Sequence, residues 1–154
     1  MSELFSSTKP KKYFKLLRNL RRPVMNHRMD VKVYYEDTDC GNVVYYANYL
    51  RYMERARTEY LAARGYSVRQ LMEEGTIFMV LRVEIDYRSP ARYGDTIEIE
   101  TWVTKATRVT MVFEHIMRDK ATGRVLVQCS AKVVFVDAQA RPKRLPEEYV
   151  EKLT

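Results

Sequence analysis

Little in this chain serves covalent bracing, metal binding or membrane spanning. Only two of its 154 residues are cysteine, Cys40 and Cys129, and they form neither a disulfide framework nor a metal-ligand pattern. Two histidines, His27 and His115, have no Cys, His or Asp partner at ligand spacing, so they do not read as a metal site. No apolar run approaches the roughly 18 residues of a membrane span. Residues 1–28 lack the apolar core and small-residue cleavage site of a secretory signal. Cytoplasmic residence with reduced thiols is therefore expected. There is no Gly-x-Ser-x-Gly elbow and no glycine-rich phosphate loop, which argues against an α/β-hydrolase and against a nucleotide-binding loop.

What is present suits a single domain with a core of its own. The length fits one domain, and the 46% hydrophobic, 31% charged composition is that of a globular chain. The net charge of +7 is unevenly placed. Lys9, Lys11, Lys12, Lys15, Arg18, Arg21, Arg22 and Arg28 face Glu3 alone within residues 1–28, so the remaining residues balance to zero. A basic arm on a neutral domain does not predict specific nucleic-acid binding. Residues 1–10 are expected to be disordered. Lys11 to Arg22 patterns as a short amphipathic helix ended by Pro23, with Tyr13, Leu16, Leu17 and Leu20 on one face. Residues 9–22 could meet an anionic membrane surface or an acyl carrier protein, and a solvated arm is the plainer alternative.

From Met29 the periods are sharper. Met29 to Glu36 alternates as a strand, and an acidic turn follows. A helix is expected from about Tyr46 to Arg64, with Tyr49, Leu50, Met53, Ala56, Tyr60 and Leu61 on its apolar stripe and Gly65 at its C′ position. Ser67 to Gln70 resembles a capping box opening a short helix to Glu74. Ile77 to Arg88, Asp95 to Ala106, Thr110 to Asp119 and Arg124 to Val136 read as strands, the last three as an antiparallel meander. A sheet with one face to cover and one apolar helix imply an α+β fold, the sheet wrapped around the helix.

Chemistry is concentrated where the first strand becomes the helix. A carboxylate before a helix N-terminus has free N–H groups beside it for a developing oxyanion, and can serve as base or nucleophile. The residues at this junction are Tyr35-Glu36-Asp37-Thr38-Asp39-Cys40-Gly41-Asn42-Val43-Val44-Tyr45-Tyr46-Ala47-Asn48-Tyr49, followed by Glu54-Arg55-Ala56-Arg57-Thr58-Glu59. Tyr87 to Asp95 adds weaker support. Together they resemble the hotdog-fold 4-hydroxybenzoyl-CoA thioesterase family over about Met29 to Tyr149. The resemblance is greatest to its small acyl-CoA thioesterases associated with the bacterial Tol–Pal cell-envelope system.

That resemblance implies an antiparallel sheet of about five strands around one central helix, spanning residues 29–154. It implies hydrolysis of an acyl- or aryl-CoA thioester without a cofactor, in a homodimer or homotetramer with pockets between protomers. It assigns the acid to Asp39 and the oxyanion donor to the Tyr46 backbone N–H. Asn48 would orient the turn or the substrate. Arg88, Arg92, Lys105 and Arg108 are the candidate contacts for coenzyme A phosphates. Asp37 reads as support, Glu54 as structural and Cys40 as a spectator. Many acyl-CoA members carry His where this chain has Tyr46. A non-catalytic acyl-group or protein-binding module recruited through the basic arm is the alternative. A hotdog dehydratase is weaker, since those enzymes rely on a His this motif lacks.

Overall fold

A computed structural model describes residues 26–154 of the chain. The disorder and the short helix expected within residues 1–22 lie outside the described residues.

The main helix, α1 (Asn48–Ala62), carries Tyr49, Tyr52, Met53, Ala56, Tyr60 and Leu61 at helical spacing, and all six are buried. It is shorter than the expected Tyr46–Arg64. At its start, Asn48 N–H bonds Tyr45 O at 2.9 Å, so Tyr45 to Ala47 form a turn rather than helix. At its end, Gly65 takes φ 83°. Tyr66 N–H bonds Leu61 O and Gly65 N–H bonds Ala62 O, the paired bonds of a Schellman stop. A second helix, α2 (Val68–Glu73), is capped by Ser67, whose hydroxyl accepts the Gln70 N–H. A third, α3 (Glu147–Leu153), follows Pro146 and closes the chain.

Five strands form one antiparallel sheet, β1 (His27–Lys32), β2 (Ile77–Tyr87), β3 (Thr96–Ala106), β4 (Thr110–Asp119) and β5 (Val125–Val136), in the order β1-β3-β4-β5-β2. The last three make the expected meander. The first strand is a correction: it begins at His27 and stops at Lys32, not Met29 to Glu36. Pairing with β3 reaches back to His27 opposite Thr101, so the strand takes in two residues assigned to the arm. Beyond Lys32, Tyr35 to Asp37 wind into a 3-10 turn, drawn round by Tyr34 N–H donating to Asp37 Oδ2 at 2.8 Å.

Alternation on β3, β4 and β5 sends one set of side chains toward α1. Ile97, Ile99, Met117, Val127 and Ala131 pack with Tyr49, Tyr52, Met53 and Ala56 in one cluster. Val103, Met111, Phe113, Val133 and Phe135 pack with Tyr60, Leu61, Leu145 and Leu153 in a second. Burial of each such side chain contributes roughly 1.5–3 kcal/mol, and truncating one, as in Met53→Ala, costs about 2–5 kcal/mol. Between the clusters runs a polar row. Thr101 and His115 are cross-strand partners there, joined Oγ1 to Nδ1 at 2.9 Å, and both are buried.

β1 and β2 are the sheet edges. β2 is the longer, at 11 residues, and exposes Met79, Val80 and Leu81. Its pairing with β5 is irregular between Val80 and Arg82, a bulge that keeps Phe78 and Val80 on the inner face along with Val83 and Ile85.

Candidate active site

Short hydrogen bonds tie the acidic turn to the helix start. Asp37 is its knot. Its carboxylate accepts from Tyr34 N–H, and its carbonyl accepts from Tyr45 N–H and from Asn48 Nδ2, each at 2.8 Å. Asn48 is only 9% exposed. It therefore sits under the turn, and its amide couples the helix start to the strand side of the junction. Asp39 stands on a small hairpin, where Thr38 and Val44 bridge and Asp39 N–H bonds Val43 O at 3.0 Å. Asn42 closes it at φ 56°, a conformation asparagine tolerates better than most residues. The Asp39 side chain is exposed and accepts the Gly41 N–H at 2.8 Å through Oδ1. Its second oxygen has no hydrogen-bond partner among the described residues.

The loop before β3 holds the same junction from the other side. Ala91, fully buried, accepts Val44 N–H at 2.9 Å and donates its own N–H to the Tyr49 hydroxyl at 3.3 Å. Arg92 follows directly. Its guanidinium donates to Asn42 O at 3.3 Å, so the structure brings Arg92 to the Asp39 hairpin.

Tyr46 lies two residues before the first helical residue. Its N–H has no hydrogen-bond partner among the described residues, as befits a group ahead of a helix N-terminus. Its carbonyl accepts the Tyr87 hydroxyl at 3.0 Å, which pins the end of β2 to the helix start. Around it stand Tyr45, with ring centroids 4.8 Å apart, and Tyr87, 6.4 Å away; Tyr87 also packs edge-on against Tyr49. Burial raises the Tyr49 and Tyr87 phenols above their ordinary range, and the adjoining Tyr46 side chain raises that of Tyr45. These three hydroxyls are therefore neutral donors near pH 7. The reading from sequence missed Tyr87 and the Tyr49–Ala91 tie. Tyr87 opens the Tyr87–Asp95 segment and ends a strand, which is the signal that could have flagged it.

The other candidates lie elsewhere in the protomer. Arg88 points its guanidinium toward Asp86 and Gln128, each at 3.5 Å. Lys105 and Arg108 flank the β3–β4 turn, and Arg108 is bonded to Leu145 O at 2.9 Å. The start of β3 is tied to the acidic junction through Asp95 O and Val33 N–H. Nine residues of strand separate Thr96 from Lys105, about 30 Å at the usual rise. One protomer thus brings together Asp39, Tyr46, Asn48 and Arg92, and leaves Lys105 and Arg108 at the far end.

Over residues 33–153 the sequence matches the thioesterase-like superfamily. It is 40% identical over 124 residues to the acyl-CoA thioester hydrolase YbgC of Escherichia coli O6:H1, covering 80% of this chain and 92% of that protein. It is 40% identical over 121 residues to the acyl-CoA thioesterase YbgC of Haemophilus influenzae, covering 77% and 87%. The fold superimposes with a TM-score of 0.77 on a crystal structure of a 4-hydroxybenzoyl CoA thioesterase mutant complexed with 4-hydroxybenzoyl CoA, at 22% identity over 84% of this chain and 99% of that one. At that identity the shared feature is the hotdog architecture itself, five antiparallel strands around a central helix.

Proposed function

This chain belongs to the thioesterase-like superfamily, and from that premise we propose that it hydrolyses an acyl-CoA or aryl-CoA to the free acid and coenzyme A. The observation that carries the reading is the junction itself: an exposed Asp39 on a hairpin fixed to a helix start whose Tyr46 N–H is unpartnered among the described residues. The names of its relatives, acyl-CoA thioester hydrolases, point the same way.

The chemistry follows from those groups. A thioester carbonyl placed against the Tyr46 N–H gains charge as it is attacked, and a donor already oriented stabilises that oxyanion. Asp39 serves in one of two courses. As nucleophile its carboxylate attacks the carbonyl carbon, expels the coenzyme A thiolate and leaves a mixed anhydride that water cleaves. As general base it takes a proton from the attacking water, and the tetrahedral intermediate expels the same thiolate. Single turnover in 18O-water separates them, because only the anhydride course can place label in the Asp39 carboxylate. Asp39→Asn should lower kcat by roughly 10²–10⁴-fold on a panel of acyl-CoAs assayed by thiol release. Activity that survives this change would sink the assignment.

The working unit in this reading is a homodimer joined through β2. That edge is long, apolar and unpaired among the described residues, features that proteins normally cover. Antiparallel pairing reverses one protomer against the other. It thereby carries Lys105 and Arg108 of each toward the Asp39 end of its mate, where phosphates of coenzyme A would need cations. A tetramer would be a pair of such dimers.

A further inference from the structure

A cavity of about 220 Å³ opens between the second half of α1, α2 and the inner face of β2. Leu61, Met72, Phe78, Val80, Phe113 and Val133 supply its apolar wall, and Glu54, Arg57 and Thr58 its polar one. It is smaller than the roughly 300–1,000 Å³ of sites that enclose a whole ligand, so it suits one end of a larger molecule.

Arg57 is the unexpected member. It is half-buried, yet among the described residues it makes no hydrogen bond and no ion pair. Burial disfavours its charge, and Glu54 only partly offsets this. Glu54 itself is exposed and accepts the Thr58 hydroxyl at 2.8 Å. On the sheet beneath, His115 and Cys129 lie close enough to feel the Arg57 charge. Burial, aided by the Arg57 charge, holds His115 down to about 3, and burial pushes the Cys129 thiol up to about 12, so both are neutral. An unmatched guanidinium beside an apolar cavity is costly unless an anion joins it.

The two-fold geometry says where that anion would come from. In the dimer proposed above, full-length antiparallel pairing of β2 with its copy would set Ile77 opposite Tyr87 of the partner subunit. Ile77 lines the cavity, and the Tyr87 hydroxyl is bonded to Tyr46 O within each chain. In that dimer the cavity of one protomer would adjoin the helix start of the other. Within one chain Arg57 lies nine helical rises beyond Asn48, about 14 Å along the axis from the helix start, too far for a short acyl group.

We propose that this cavity receives the acyl end of a thioester held at the partner's Asp39 and Tyr46, and that Arg57 selects acyl groups ending in a carboxylate. The substrate class is then a short dicarboxylic monothioester of coenzyme A. The inference rests on the thioesterase reading above and names the substrate of that same site.

The test compares glutaryl-CoA with pentanoyl-CoA, equal in carbon number, using the full-length dimer and thiol release. Wild type should favour glutaryl-CoA in kcat/KM by roughly tenfold or more, as a desolvated charge pair supplies. Arg57→Met should erase that preference by losing glutaryl turnover while pentanoyl turnover is kept. Arg57→Lys should retain part of it, and Arg57→Gln replaces the Met variant if the latter fails to fold. Wild type that is indifferent or favours pentanoyl-CoA overturns the proposal, as does a parallel loss on both substrates. Dissociation of the Arg57→Met dimer in sedimentation also overturns it, because Arg57 would then be answering a carboxylate of the partner. Hydrolysis of neither thioester also overturns it, whereas activity unmoved by Asp39→Asn refutes the parent reading instead.

Discussion

Gly41 is small because of Asp39. A Cβ at position 41 would stand 3.0 Å from Asp39 Oδ1, the oxygen that accepts the Gly41 N–H. Gly41→Ala should therefore turn the carboxylate away from its present direction without touching the core. The expected result is a fall in kcat of about tenfold or more, since about 1 Å of misplacement can cost far more, with a melting temperature close to wild type. Glu114 makes a different single-residue case. It lies on the outer face of β4, opposite Trp102 and Ser130. Burial, and then the nearby Glu84, raise its carboxyl from 4.5 to about 7, against weaker opposing hydrogen bonds from Ser130 and Thr104. As pH falls, the folded protein takes up this proton before the unfolded chain does. The group's cost is thus fully present above about 7 and fades as pH drops toward 4.5. Glu114→Gln should stabilise the protein at pH 8 by roughly 1 kcal/mol, after allowing for solvent that screens its open side. It should also flatten the melting temperature between pH 5 and 7.

At the scale of elements, β2 is the strand on which the proposed dimer rests. Leu81 sits at its bulge and is 57% exposed, one of three apolar side chains in a row on an open edge. Leu81→Lys should leave the protomer folded and shift it from dimer to monomer, read by analytical ultracentrifugation, with turnover falling alongside. The elements were largely legible because their periods are clean: the stripe of α1 and the alternation on β3 to β5 read directly as helix and strand. The places that were not legible have physical causes. Tyr34 to Glu36 continues the polar and aromatic alternation of β1, yet Asp37 captures the Tyr34 N–H and folds the chain away. The far-edge position of β2 depends on long-range pairing with β5, which no local pattern encodes. Arg57 carried no role in the sequence beyond its place in the run Glu54 to Glu59. Only the packed fold shows that it lines a cavity, with its charge felt by His115 and Cys129.

For the whole molecule the question is what the basic arm adds. Residues 1–26 hold +6 of the net charge of +7, and the fold from His27 onward carries the remaining +1. If the arm serves only for localisation, deletion of residues 1–23 should leave kcat/KM within about twofold. It should also abolish a salt-sensitive attachment to anionic vesicles, measured by co-sedimentation. Thioester binding without turnover in the full chain would instead favour a non-catalytic binding module. The candidate site was legible in part because the acidic turn and helix start are contiguous in sequence, whereas any contribution from a second subunit is invisible to one chain. The β3-β4-β5 meander pairs neighbours in sequence, while β2 must wait for β5, with Ile77 opposite Val136. Local pairings form fastest, so both edge strands, β2 on β5 and β1 on β3, are expected to join after the meander, and the edge proposed for dimerisation to appear late in folding. Completion of the sheet and capture of a second subunit would then be consecutive events. The half-built edge would be the species most prone to pair with a wrong chain when expression is fast.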